Sequence, residues 1–106
     1  MYIVILITVP SLSEAESIAA ALIKEKLAAC VNMVSGVKSV FWWEGKMDKA
    51  EEVLLVVKSK KAKLAKIISK VKSLHSYQVP EIIAIPLIGG YKPYLDWIDE
   101  SLCKQC

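Results

Sequence analysis

The sequence contains no arginine, because all fourteen of its basic residues are lysines, set against eleven acidic residues for a net charge of +3. Arginine is the usual bidentate partner of phosphate, carboxylate and guanine, so its absence argues against nucleic-acid binding and phosphate transfer. The segment Glu51–Lys58, a predicted strand, also has acids and aliphatic residues where an RNA-recognition strand has stacking aromatics. We therefore expect no nucleic-acid partner.

Histidine is almost absent too, and cysteine is scarce. The only histidine is His75, and the three cysteines are Cys30, Cys103 and Cys106. An odd number of cysteines without other signs of export argues against a disulfide framework and favours a reducing cytoplasm. Cys103 and Cys106 form a C-x-x-C pair, but a pair at the very end of a chain lies on a frayed tail that cannot tune a thiolate.

Long hydrophobic runs are missing as well. The apolar stretch from Ile3 to Ile7, like every other in the sequence, is far shorter than the roughly 20 residues that cross a bilayer. No basic segment precedes it as in a signal peptide. We therefore expect a soluble cytoplasmic protein without a membrane partner, and its 106 residues predict a single domain, 1–106, around one core.

The spacing of apolar residues predicts seven elements in the order strand, helix, strand, strand, helix, strand, helix. They are Tyr2–Val9, Ser13–Leu27, Cys30–Glu44, Glu52–Lys58, Leu64–Leu74, Ile82–Ile88 and Pro93–Leu102. Ser13 and Glu16 form a capping box at the first helix, and Ser35-Gly36 predicts a bulge in the second strand. The order is the split βαβ pattern, which predicts an α+β, ferredoxin-like βαββαβ fold with a four-stranded antiparallel sheet and both long helices on one face.

The predicted hairpin is too long for the rest of the domain. Arms of about 14 residues span roughly 45 Å, whereas a helix from Ser13 to Leu27 spans only about 22 Å. The sheet face without helices also lacks a cover. A long overhanging edge and an uncovered apolar face both favour oligomerisation.

Four segments resemble the motifs of the CutA divalent-cation tolerance family in order and spacing. They are Lys26–Asn32, Trp43–Lys46, His75–Ile82 and Tyr94–Trp97, and together they extend over nearly the whole chain. The resemblance implies a homotrimer in which each long hairpin packs on the sheet of a neighbouring subunit. It also implies a link to divalent metal ions, copper most often.

The resemblance further implies metal ligands that this chain mostly lacks. Relatives are credited with a cysteine near the end of the first strand and with adjacent histidines before the Tyr-Gln-x-Pro-Glu motif. The corresponding residues here are Ile7 and the pair Leu74-His75, so His75 is the only candidate metal ligand. One imidazole cannot make a tight transition-metal site, so we expect weak binding or ligands from another subunit. The alternative role of His75 is to cap the second helix.

Six further residues match polar or aromatic positions of the family and are candidates for a cleft between subunits. These residues are Cys30, Trp43, Glu52, Lys58, Tyr77 and Glu81. The alternative is that they form only packing contacts, hydrogen bonds and salt bridges at an interface. Cysteine in particular is usually buried and packs like a small apolar residue, which is the alternative role of Cys30.

The sequence is compatible with three classes of function. The first is a metal-binding protein that responds to metal ions and requires no cofactor. The second is a trimeric signalling or scaffold protein that binds a small ligand in the cleft between subunits. The third is an enzyme, but acylphosphatases of this architecture need an arginine after the first strand, where this chain has Ser11 and Ser13. We therefore expect that the protein is not an enzyme.

Overall fold

The computed structural model describes residues 1–103 and has the predicted order of elements. The strands are β1 (Tyr2–Val9), β2 (Cys30–Trp43), β3 (Lys46–Lys60) and β4 (Ile82–Pro86), and the helices are α1 (Leu12–Lys24), α2 (Leu64–Leu74) and α3 (Lys92–Leu102). The strands form one antiparallel sheet in the order β2-β3-β1-β4. The predicted α+β, ferredoxin-like fold is therefore confirmed. The fourth strand ends two residues earlier than predicted, before Leu87.

β1 occupies the middle of the sheet and supplies much of the core. Its alternate residues Ile3, Ile5 and Ile7 are buried at 3%, 0% and 0% exposure, and they pack with apolar residues of α1 and α2. Ile5 lies opposite Val57 on one side and Ala84 on the other. Successive strand residues point to opposite faces, so this row defines the helix-covered face of the sheet.

The first helix begins and ends earlier than its predicted bounds. The N-cap is Ser11, whose Oγ accepts a hydrogen bond from the Glu14 amide, so the predicted capping by Ser13 is wrong. Ser11 lies two residues after the end of β1 and still has extended backbone angles, as an N-cap requires. The helix ends at Lys24, and Lys26 adopts a left-handed backbone (φ 56°) that prevents continuation.

The hairpin of β2 and β3 closes through the two-residue turn Glu44-Gly45. Both residues have positive φ, 51° and 75°, as a type I′ turn requires. This turn type matches the right-handed twist of the two paired strands. Pairing continues from this turn to Cys30 opposite Lys58, with one register shift between Val34 and Val37. The predicted bulge is therefore present, and the longest dimension of the molecule is 47 Å.

The face of the sheet opposite α1 and α2, called here the open face, is covered at one end only. There α3 lies against β3, and Asp99 contacts both Tyr2 and Lys60. The expectation that this face has no cover is thus corrected, because a short helix closes part of it. Elsewhere Ile83 and Ile85 remain 51% and 46% exposed. No helix within residues 1–103 is long and apolar enough to span a membrane.

Candidate functional site: a cleft at the base of the hairpin

A cleft of about 730 Å³ lies where β1 ends and the hairpin begins to overhang the domain. One wall is the segment of residues 75–81, which connects α2 to β4. The lining residues that matter for its chemistry are Thr8, Phe41, Trp43, Glu52, Tyr77 and Glu81. Four of the six predicted cleft residues, namely Trp43, Glu52, Tyr77 and Glu81, therefore lie around one cavity.

Strand alternation determines which hairpin side chains reach the cleft. Asp48, Ala50 and Glu52 are alternate residues of β3 and share the open face. Across the hairpin, Phe41 pairs with Asp48 and Ser39 pairs with Ala50. The floor of the cleft is therefore formed by small side chains, with an aromatic ring and a carboxylate at one end and Glu52 at the other.

Glu52 is buried although it belongs to the overhanging part of β3. Only 7% of its surface is exposed, and its Oε2 accepts a 2.9 Å hydrogen bond from the Tyr77 hydroxyl. Burial first, and this hydrogen bond second, raise the pKa of Tyr77 to about 12. Within residues 1–103 no lysine lies within salt-bridge distance of Glu52. Tyr77 thus holds the carboxylate in place without neutralising it.

His75 stands behind the cleft wall and uses both ring nitrogens within the protein. Nε2 donates a 2.8 Å hydrogen bond to the carbonyl oxygen of Thr8, and Nδ1 accepts a 3.0 Å hydrogen bond from the Tyr77 amide. The Glu14 carboxylate lies 3.4 Å from Nδ1. This pattern corresponds to the neutral tautomer with the proton on Nε2. His75 therefore ties the end of β1 to the segment that carries Tyr77.

Thr8 and Glu81 join the ends of β1 and β4 at the edge of the cleft. The Thr8 hydroxyl lies 3.5 Å from Glu81 Oε1, a long and weak hydrogen bond. Glu81 is exposed, so its charge faces the cavity and solvent. Thr8 and Asp48 were not predicted from the sequence, although the alternation of β3 could have placed Asp48 on the same face as Glu52.

Cys30 and Lys58 do not belong to this cleft within one subunit. They lie opposite each other on β2 and β3, six residues and roughly 20 Å along β3 from Glu52. The Lys58 ammonium contacts Asn32 Oδ1. Burial first, and the neighbouring Cys30 second, raise the pKa of Tyr94 on α3. The structure thus divides the six predicted residues between two ends of the sheet.

The donor atoms of the described residues do not fit a tight metal site. No three histidine, cysteine or acidic side chains within residues 1–103 are close enough to hold one ion. A metal at His75 would have to displace one of its two hydrogen bonds. Ile7, at the position where the family resemblance implies a cysteine ligand, is fully buried in the core. Of the C-x-x-C pair, Cys106 lies outside the described residues.

Known proteins with similar sequences belong to the family whose motifs this chain resembles. The sequence profile of the CutA1 divalent ion tolerance protein family matches residues 3–101. The divalent-cation tolerance protein CutA of Archaeoglobus fulgidus is 51% identical over 102 residues, which cover 96% of this chain and 99% of that protein. The protein of the same name from Thermus thermophilus is 48% identical over 98 residues, or 92% and 95% of the two chains.

Solved structures give the same result. The structure of the A. fulgidus protein, described as the periplasmic divalent cation tolerance protein CutA, has a TM-score of 0.94 and covers 96% of this chain and 99% of that chain. The structure of CutA1 from Oryza sativa also has a TM-score of 0.94, at 43% identity, and covers 98% and 95% of the two chains. Sequence and structure together show that this chain belongs to the CutA1 divalent ion tolerance protein family.

Proposed function

We propose that this protein is a homotrimer that takes part in the response to divalent metal ions, binds them weakly, copper foremost, and catalyses no reaction. The family to which it belongs is named for ion tolerance, not for a reaction. The observation that carries the proposal of weak binding is the engagement of both nitrogens of His75. An incoming ion must break one of these hydrogen bonds, and this cost lowers its affinity.

The homotrimer is supported by apolar surface that a single subunit leaves uncovered. Trp42, Val40 and Met47 on one face of the hairpin are 77%, 68% and 72% exposed, and Phe41 and Trp43 on the other face are 38% and 42% exposed. A hairpin that is apolar on both faces is an aggregation hazard unless a partner packs on it. Light scattering should therefore give three times the chain mass of 11.8 kDa.

The absence of catalysis is supported by the positions of the reactive groups. Cys30 and His75 lie at different ends of the sheet, so they cannot form a thiolate and base pair within one subunit. The cytoplasm remains the proposed location, because an odd number of cysteines argues against a disulfide framework. The A. fulgidus relative is described as periplasmic, so cell fractionation is the direct test.

Calorimetric titration with cupric ion tests the metal proposal. The parent should bind weakly and His75→Ala should not bind, because copper prefers imidazole among the donors present. The control is a Cys103→Ser, Cys106→Ser double variant, which should bind as the parent does. Retention of binding by His75→Ala together with loss in the double variant would place the metal on the terminal cysteines and contradict the proposal.

The second candidate function is that of a trimeric signalling or scaffold protein with a small ligand in the cleft. The buried carboxylate of Glu52 at the end of a cleft of about 730 Å³ favours it. A ligand of this cleft should raise the melting temperature, because it binds only the folded chain. Divalent metal ions, which bind weakly, should leave the melting temperature unchanged. The opposite result would favour the first function.

A further inference from the structure

The outer surface of α2 lies in the most one-sidedly charged part of the chain. Residues 53–80 contain seven of the fourteen lysines and no acidic residue. α2 packs into the core through Ile67 and Val71, so the side of the helix on which its lysines predominate faces solvent. A surface with a local excess of one charge attracts ligands of the opposite charge. The outer surface of α2 therefore favours an anionic partner.

Three of these lysines, Lys61, Lys66 and Lys72, have no acidic partner. Their side chains are exposed and form no ion pair with any of residues 1–103. By contrast, the Lys70 ammonium lies 2.8 Å from the Glu25 carboxylate at the end of α1. The three unpaired ammonium groups are available to carboxylates or phosphates of another molecule.

A shallow groove of about 320 Å³ follows α2 beside these lysines. Its lining residues come from α2 and from the end of α1, and they are Glu25, Leu27, Lys66, Ser69, Lys70 and Ser73. Lys66, Ser69 and Lys72 follow one another at intervals of three residues, so they share one strip of the helix. Glu25, the acid among the lining residues, is already paired with Lys70. The groove is therefore positive along this strip.

This surface remains accessible in the proposed homotrimer. The apolar side chains that favour assembly lie on the hairpin and on the open face of the sheet. α1 and α2 cover the other face, so a neighbour that packs on the open face leaves α2 outside. Single exposed ion pairs contribute little to binding, but a trimer presents three copies of the surface. Linked copies raise the avidity for a partner with several acidic segments.

The composition of the surface favours a carboxylate partner over RNA or a lipid bilayer. RNA-binding surfaces stack bases on aromatic rings, and interfacial helices insert large apolar or aromatic side chains into the bilayer. Residues 61–74 contain no aromatic residue, and small exposed residues, Ala65 and Ser69, lie between the lysines. Lysine also presents a compact single charge, whereas arginine is the usual bidentate partner of phosphate. Individual carboxylates and a closely approaching backbone fit this strip.

We propose that the outer surface of α2 binds an acidic peptide segment of a partner protein, with carboxylates at Lys66 and Lys72 and the peptide backbone over Ala65 and Ser69. The Ser69 hydroxyl makes no hydrogen bond within the described part of the chain, so it can bond to that backbone. Lys61 extends the positive charge toward the start of the helix. The inference goes beyond metal binding and beyond the cleft, because neither involves this surface.

Calorimetric titration of the assembled protein with poly-L-glutamate at low ionic strength tests the proposal. The parent should bind, and its affinity should fall as sodium chloride is added, because salt screens exposed charges. The double variant Lys66→Gln, Lys72→Gln should bind about tenfold more weakly, because it loses two ion pairs. The matched control is Lys46→Gln, Lys92→Gln, which removes the same charge from two exposed lysines outside α2 and should bind as the parent does.

The four substitutions replace exposed side chains, so the core stays intact in both double variants. An equal loss of affinity in the two variants would show that net charge alone attracts the polymer and would overturn the proposal. Failure of the parent to bind poly-L-glutamate would do the same. Poly(U) RNA and vesicles of phosphatidylserine and phosphatidylcholine test the other anions. Tighter binding of either one than of poly-L-glutamate at equal ionic strength would assign the surface to phosphate groups and exclude the acidic peptide.

Discussion

The hydroxyl of Tyr2 donates a 2.6 Å hydrogen bond to Oδ2 of Asp99, a residue 97 positions further along the chain. The other oxygen of the same carboxylate lies 2.7 Å from the Lys60 ammonium. Tyr2 and Lys60 are cross-strand partners on β1 and β3, so Asp99 joins both strands to α3. This contact holds the terminal helix on the open face.

The attachment of α3 should depend on pH through Asp99. Its hydrogen bonds with Lys60 first and Tyr2 second lower the pKa of this carboxyl group. A carboxyl whose pKa is lower in the folded chain stabilises the fold above its unfolded pKa of about 3.9, and this contribution disappears as the pH falls through the folded value. Asp99→Asn should therefore melt at a lower temperature than the parent at neutral pH, and the difference should vanish in strong acid.

Asp96→Asn is the control for this experiment. Asp96 pairs with Lys92 one turn earlier on α3, and that lysine side chain is 83% exposed. Exposed ion pairs of this kind contribute little to stability. A melting temperature for Asp99→Asn equal to that of Asp96→Asn at neutral pH would show that the Tyr2–Asp99–Lys60 contact does not hold α3.

Removal of the Tyr77 hydroxyl should destabilise the cleft. Tyr77→Phe leaves the buried Glu52 carboxylate without its donor, at an expected cost of about 1–3 kcal/mol in the free energy of unfolding. Tyr91→Phe, at a tyrosine that is 77% exposed, should have no effect. Urea unfolding of the two variants measures the difference. Identical midpoints would mean that Glu52 finds another donor in the assembly.

The same tyrosine predicts a loss of stability at high pH. Its pKa rises from 10.0 to about 12 in the folded chain. A raised pKa means that the neutral hydroxyl stabilises the fold below about pH 10, and that this contribution is lost as the pH approaches 12. Tyr77→Phe should not show this part of the decline. Thermal unfolding of both proteins between these pH values provides the comparison.

Gly36→Val should destabilise the bulge through backbone strain alone. Gly36 has φ +77°, and a Cβ atom there would meet nothing within 4 Å. A left-handed backbone costs a side-chain-bearing residue about 1–2 kcal/mol. Gly89 offers the control, because it is equally uncrowded and lacks a positive φ. If Gly36→Val and Gly89→Val unfold at the same urea concentration, the strain at the bulge is relieved in another way.

Ile83→Lys should weaken the proposed trimer. Ile83 is 51% exposed on the open face, where a neighbouring subunit would bury it, and a buried lysine without a partner is strongly unfavourable. Ile23→Lys, at a residue 43% exposed on α1, is the matched control. Light scattering at low micromolar concentration should show a reduced mass for Ile83→Lys only. Full assembly of both variants would place the interface elsewhere.

Apolar periodicity was enough to predict the order of the elements because β1, α1 and α2 each bury one regular row of residues. Helix caps were harder to predict. Ser11 and Ser13 both precede an acidic residue at a suitable distance, and the choice depends on where β1 ends, which is a property of the sheet. The docking of α3 was also missed, since it depends on long-range contacts of Asp99 that carry no local signal.

The candidate site was predicted only in part, because its arrangement also depends on contacts between residues far apart in the sequence. The resemblance to the family indicated Glu52 and Tyr77, and the structure joins them by a hydrogen bond. The same resemblance grouped Cys30 and Lys58 with them, but matching positions in a sequence carry no information on strand register. The pairing of Cys30 with Lys58 places both at the far end of β3. Only a trimer in which a neighbour's sheet meets this cleft would reunite the group.

The central position of β1 has a consequence for the order of folding. The hairpin partners β2 and β3 are adjacent in sequence and close through the two-residue turn Glu44-Gly45, so they can pair soon after synthesis. β1 is made first, yet its partners β3 and β4 begin only at Lys46 and Ile82. The nascent chain must therefore carry its most apolar strand with one edge unpaired until β4 has been synthesised, which makes this interval the one most exposed to misassembly.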